Sequence, residues 1–141
     1  MEKRACARLM RALAVMSLAY ALVAMIALGP GGLLAAAPSS IAGALAAKGQ
    51  KVFRRHCAQC HGNQGGGYIG PAVIGVDAEL ASYHTAQGLL QYVSTAMPQT
   101  APGSLDERQY LQVVAYLLVQ NGYIEKGAAL GMDNLAEIPI E

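Results

Sequence analysis

Apolar positions in this chain fall into two regimes. From Ala12 to Ala47 no charged residue interrupts the sequence, and Ala12–Leu28, ALAVMSLAYALVAMIAL, is apolar almost throughout. From Lys48 onward apolar residues recur at helical spacing instead. LAAKGQKVFRRHCAQC predicts a first helix with Val52, Phe53 and Cys57 on roughly one face. HGNQGGGYIGPAVIG carries six glycines and a proline and reads as a loop. DAELASYH predicts a short helix. TAQGLLQYVSTAM predicts a longer one, with Leu89, Val93 and Met97 four apart, Thr85 as its cap and Pro98 as its stop.

The strongest helical pattern follows the turn TAPGSL. Ser104 and Glu107 form an S-x-x-E capping box, Tyr110, Val113, Val114, Leu117 and Leu118 repeat at helical intervals, and Asn121-Gly122 supplies the stop. The tail after Gly122 is irregular and is expected to pack across the surface through Leu130, Leu135 and Ile138. No alternating strand and no internal repeat is visible. The pattern is that of a small all-α domain.

The apolar N-terminal segment changes the domain count. Lys3, Arg4, Arg8 and Arg11 precede it, and Gly29-Pro30 follows, which is the layout of an export signal. Its 17 residues exceed the usual apolar core of about 7–15 for a cleaved signal and fall just short of the roughly 20 that span a bilayer. Small-x-small sites at Ala42-Gly43-Ala44 and Ala44-Leu45-Ala46 offer cleavage; retention as a single-span anchor is the alternative. Residues 1–43 are therefore read as a signal peptide or anchor. Residues 44–141 form the exported domain, with its core at about 48–122 and a tail at 123–141. Cys6 precedes the apolar segment and reads as a cytoplasmic thiol without a role.

Export also changes the charge. The whole chain carries a net +1, but the exported part keeps six Lys/Arg against eight Asp/Glu, net −2. Such a domain is no nucleic-acid binder. Lys48, Lys51, Arg54 and Arg55 still cluster just before the cysteines. They read as a solvated helix face or as a docking patch for an acidic protein.

The exported domain has no tryptophan and one phenylalanine, and a domain this small often needs a cofactor, metal or disulfide to complete its core. Cys57 and Cys60 are too close to staple a long loop. A thioredoxin-like dithiol needs a βαβ setting that is not visible, and a zinc site needs a second ligand pair that His56 and His84 do not supply. Cys57-x-x-Cys60-His61 is instead the attachment signature of a single c-type haem. On a helical turn both sulfurs reach one edge of the porphyrin, and His61 follows directly to meet the iron. For the sixth position the candidates are His84, Met97 and Met132. Met97 lies at a helix end where Pro98 stops the helix, so the chain there can turn a thioether towards the haem.

These residues resemble the class I, mitochondrial-type, bacterial cytochromes c from about Lys48 to Gly122. Gly49 and Phe53 stand at the family's Gly-x-x-x-aromatic spacing, Cys57, Cys60 and His61 match the haem motif, and Met97-Pro98 matches the axial Met-Pro. The resemblance implies N- and C-terminal helices packed around one covalent haem c, with Gly49 meeting the last helix at its aromatic residue. It also implies that the Pro71 carbonyl, in Gly70-Pro71, accepts a hydrogen bond from His61. The implied function is one-electron transfer without enzymatic activity of its own, in the periplasm, either soluble or anchored to the inner membrane. MPQTAPGSLDERQYLQVVAYLLVQNGYI and the closing Ile-Pro-Ile are most similar to cytochromes that serve periplasmic quinoprotein dehydrogenases. That resemblance implies such a donor and a terminal oxidase or another cytochrome as acceptor. A fixed place in a membrane complex is the alternative. One departure is the missing tryptophan that the family places near a haem propionate; Tyr83 and His84 occupy that region.

Overall fold

The computed structural model describes residues 40–141; the apolar segment Ala12–Leu28 lies outside them. Among the described residues no helix is long and apolar enough to cross a membrane. The order is β1 (Ser40–Ile41), α1 (Ala42–His56), α2 (Ala58–His61), a single turn at Leu80–Tyr83, α3 (Ala86–Ala96), α4 (Glu107–Gln120), β2 (Ala129–Leu130) and a last turn at Leu135–Glu137. The helical expectation holds with one addition. β1 and β2 pair antiparallel, Ser40 opposite Leu130 and Ile41 opposite Ala129.

That pairing places ordered structure ahead of Ala44. Ala42 is fully buried, and both small-x-small triplets lie inside or at the start of α1. No side chain caps α1. Its first amides donate instead to the tail, Ala42 N–H to the Ala128 carbonyl at 2.9 Å and Gly43 N–H to the Lys126 carbonyl at 2.8 Å. These are donors that any helix start must satisfy somewhere. The tail serves α3 in the same way, since Ala86 N–H donates to the Ile138 carbonyl at 2.9 Å. It is thus a structural part of the core rather than a surface wrap. Leu130, Leu135 and Ile140 are buried, while Ile138 is only partly covered.

α3 begins where its sequence predicts, with the Thr85 hydroxyl accepting from Gly88 N–H. α4 does not. Its cap is Asp106, whose carboxylate accepts from Gln109 N–H at 2.7 Å while the Gln109 side chain accepts from Asp106 N–H at 3.1 Å. The capping box is therefore Asp106/Gln109 and not Ser104/Glu107. The reason is local: the Ser104 amide is already engaged in the preceding turn, with the Ala101 carbonyl.

The scaffold is set by α1 crossing α4. A Cβ at Gly49 would lie 1.8 Å from the Gln112 carbonyl oxygen and 3.0 Å from Tyr116 Cβ, so only glycine permits this approach. Phe53 and Tyr116 then meet with ring centroids 5.4 Å apart and their planes tilted by 53°, a separation in the range favourable to aromatic pairs. The loop after α2 is tied to the far end of α4 by Asn121. Its Nδ2 donates to the Val73 and Leu117 carbonyls at 3.0 and 2.8 Å, and its Oδ1 accepts from Gly75 N–H at 3.0 Å.

Candidate functional site

The helices enclose a cavity of about 300 Å³. Five residues singled out in the sequence line it: Cys57, Cys60, His61, Pro71 and Met97. Two other candidates do not. His84 is exposed, its backbone at φ 62°, and its carbonyl accepts from Ile140 N–H. Met132 is 48% exposed in the tail.

The local chain explains how the five converge. α1 ends at His56, and α2 continues as a single turn that carries Cys60 and His61. Gly62, at φ 80°, closes that turn. The loop then returns, Gly70 N–H donating to the Cys60 carbonyl at 2.8 Å, which lays Gly70-Pro71 against the His61 ring. A Cβ at Gly70 would come within 3.1 Å of His61 Cε1, so the glycine makes room for the imidazole. His61 Nδ1 lies 2.8 Å from the Pro71 carbonyl oxygen. A carbonyl only accepts, so Nδ1 carries the proton and Nε2 keeps its lone pair. Met97 is the residue at which α3 ends, in an extended conformation.

Apolar side chains supply the walls, among them Phe53, Leu89, Val93, Val113 and Leu117, and among the described residues no Lys, Arg, Asp or Glu lines the cavity. Cys57 and Cys60 are unpaired thiols. Burial, reinforced by Cys60 beside it, pushes the Cys57 thiol up to about 11. Two thiols, an imidazole with a free Nε2 and a thioether, around an apolar slot, form a donor set suited to a covalently held iron porphyrin. They suit a hard cation poorly.

The stretch 44–117 matches the sequence model of the family described as cytochrome C oxidase, cbb3-type, subunit III. The chain belongs to this cytochrome c family. It is a mono-haem cytochrome of class I type, and its cofactor is one covalently bound haem c. This cytochrome is 37% identical over 55 residues to a cytochrome c-553-like protein of Synechocystis sp., covering 39% of this chain and 52% of that one. It is 32% identical over 79 residues to a thiosulfate dehydrogenase of Stutzerimonas stutzeri, covering 50% and 26% respectively. The cytochrome thus matches about half, or less, of the length of these curated relatives. In structure it resembles the sulfane dehydrogenase SoxCD from Paracoccus pantotrophus, at 24% identity and a TM-score of 0.58, over 67% of this chain and 52% of that one. That likeness concerns the fold alone.

The cavity also holds residues that carried no signal in the sequence. Tyr92 lines it beside Tyr83, the two rings 5.0 Å apart. Burial and the neighbouring Tyr92 raise the Tyr83 phenol above its ordinary range. Ile69, 76% exposed, stands at the mouth with Gln59, Gln99 and Thr100. Behind Met97 lies Tyr110, which is buried; its hydroxyl donates to the Met97 carbonyl at 2.8 Å and accepts from Leu105 N–H at 3.4 Å. Tyr110 stood in the sequence only as a periodic apolar position. The basic residues Lys48, Lys51, Arg54 and Arg55 are all exposed on α1, outside the cavity lining.

Proposed function

We propose that this electron carrier holds its haem through thioether links at Cys57 and Cys60, with His61 and Met97 as the axial ligands, and shuttles single electrons between exported redox proteins. The observation that carries the reading is the convergence of Cys57, Cys60, His61 and Met97 on one apolar cavity, with the His61 tautomer set by Pro71. The haem supplies a one-electron ferric/ferrous couple when bound. Pro71 holds the Nδ1 proton and so presents Nε2 as the donor. Met97 offers the thioether, which favours the ferrous state and raises the potential. With His61 and Met97 both holding the iron, no position on it would remain for a substrate. The uncharged mouth at Gln59, Ile69, Gln99 and Thr100 suits brief contacts with a partner surface.

The proposed compartment is the periplasm. The donor is an exported dehydrogenase, a quinoprotein dehydrogenase on the resemblance of residues 97–124 and Ile138-Pro139-Ile140, and the acceptor is a terminal oxidase or another cytochrome. A second reading, a fixed haem subunit of a membrane complex held by residues 1–43, is favoured by the matched family's description as an oxidase subunit. Intact mass of the chain from membrane and soluble exported fractions tests both. A mass one haem above the polypeptide supports attachment, and the bare polypeptide mass in cells that mature c-type haem overturns it. A full-length chain in the membrane favours the fixed subunit; a trimmed soluble chain favours the shuttle. In Met97→Leu the reduced protein should take up carbon monoxide readily; unchanged resistance to carbon monoxide argues against Met97 as ligand.

A further inference from the structure

We infer that the Tyr110 hydroxyl is the positioning group for Met97, holding closed the loop that carries the proposed sixth ligand; this rests on the reading of Met97 as that ligand. Among the described residues, the hydrogen bonds of the segment 98–105 run within the segment or to Tyr110. Ala101 N–H donates to the Pro98 carbonyl and Ser104 N–H to the Ala101 carbonyl. Pro98 has no amide hydrogen, and residues 99–104 are exposed. The segment therefore has little of its own to fix it. One hydroxyl reaches both ends: it donates to the Met97 carbonyl at 2.8 Å and accepts from Leu105 N–H at 3.4 Å.

The choice of side chain supports a specific role. Position 110 faces the core of α4 and is 4% exposed, so a plain apolar residue would satisfy the helix pattern. A phenol placed there costs desolvation unless its hydroxyl is bonded, and here the donor goes to the carbonyl of Met97 itself. The bond acts on the backbone of that residue, leaving the sulfur lone pairs for the iron. It sets how long the thioether stays in place rather than what it donates.

The test is competition for the sixth position in the oxidised, haem-loaded protein, with imidazole as the probe. The weak long-wavelength band that marks sulfur bound to ferric iron provides a second readout. Tyr110→Phe keeps the ring and removes the hydroxyl. It should bind imidazole about three- to tenfold more tightly than wild type, the range expected for losing the bond to the Met97 carbonyl, the shorter of the hydroxyl's two, and lose the band at a correspondingly lower imidazole concentration. Tyr110→Leu should do the same and also lower the melting temperature, which Tyr110→Phe should largely restore. Val114→Ala, a cavity in the same helix at a fully buried residue outside the haem cavity, controls for general loosening and should leave imidazole affinity within twofold. Equal affinity in wild type and Tyr110→Phe overturns the inference, as does an equal gain in Val114→Ala. If Met97→Leu leaves the band and imidazole affinity unmoved, the ligand assignment itself falls and takes the inference with it.

Discussion

Replacing Gly49 by alanine puts the helix crossing under direct test. The added Cβ would lie 1.8 Å from the Gln112 carbonyl oxygen, 2.5 Å from the Gln112 carbonyl carbon and 3.0 Å from Tyr116 Cβ. Two of these are backbone atoms of α4, so no rotamer change relieves the overlap. Restoring normal contact distances requires α1 and α4 to part by roughly 1.5 Å, and a gap of even 0.5–1 Å forfeits a quarter to a half of each contact's attraction. Phe53 and Tyr116 sit one turn away and lose their ring contact with it. Overpacking of this kind costs about 1–3 kcal/mol, sometimes more, and the aromatic pair adds about 0.5–1.5 kcal/mol. Alanine's better helix propensity returns about 1 kcal/mol. The net is a loss of about 2 kcal/mol, which in a domain of this size lowers the melting temperature by on the order of 10 °C. Thermal unfolding of haem-loaded wild type and Gly49→Ala, followed by far-ultraviolet circular dichroism, measures it. Gly127→Ala is the control: nothing lies within 4 Å of its Cβ position, so its melting point should hold or rise slightly. If Gly49→Ala melts within a few degrees of wild type, helix propensity has won and the crossing is not as close as described.

Other perturbations address the loop, the ligand and the tyrosine pair. Asn121→Ala removes two hydrogen bonds between the loop and the end of α4 and a third within that helix end, and should cost about 1–3 kcal/mol in denaturant melts. Asn121→Asp should cost more, because it sets a carboxylate against the Val73 and Leu117 carbonyls. Met97→Leu should lower the reduction potential measured by equilibrium titration, since the thioether favours ferrous iron; an unchanged potential contradicts the assignment. Tyr83 has its pKa raised in the fold by burial and by Tyr92, so the folded state holds this proton more tightly than the unfolded one. Its contribution is fully present below the ordinary tyrosine range and is lost as pH rises through and above it. Melting temperatures measured across that alkaline range should fall less steeply in Tyr83→Phe than in wild type.

The parts legible in the sequence are those fixed by neighbours in the chain. Thr85 and Pro98 bracket α3 within a residue, because a cap and a stop act locally. Cys57, Cys60 and His61 share a cavity because their spacing matches a helical turn, and Met97 joins them because α3 ends at it. Local rules fail where two signals overlap, as at Ser104-Leu105-Asp106-Glu107, where the preceding turn engages Ser104 and Asp106 takes the cap. They are silent where the partner is distant. Ser40–Ile41 is too short to show alternation, and its pairing with Ala129–Leu130 is visible only in three dimensions. Tyr92, Ile69 and the Tyr110 hydroxyl take their roles from residues that the fold brings alongside. The tail, expected on the surface, is drawn inward because two helix starts need its carbonyls.

That last dependence bears on the order of events while the protein is made. A chain emerging from its N-terminus presents α1 and the Cys57–His61 turn roughly fifty residues before α4 exists, and the carbonyls that cap α1 and α3 come later still. During that interval the thiols lie in an unfinished shell. In the folded shell burial raises the Cys57 thiol to about 11, and the thiol is a poorer nucleophile than the thiolate. Under the proposed attachment at Cys57 and Cys60, both thiols are made before the walls that bury them, and the tail, whose carbonyls accept from the Ala42 and Ala86 amides, is the last part of that shell to be made.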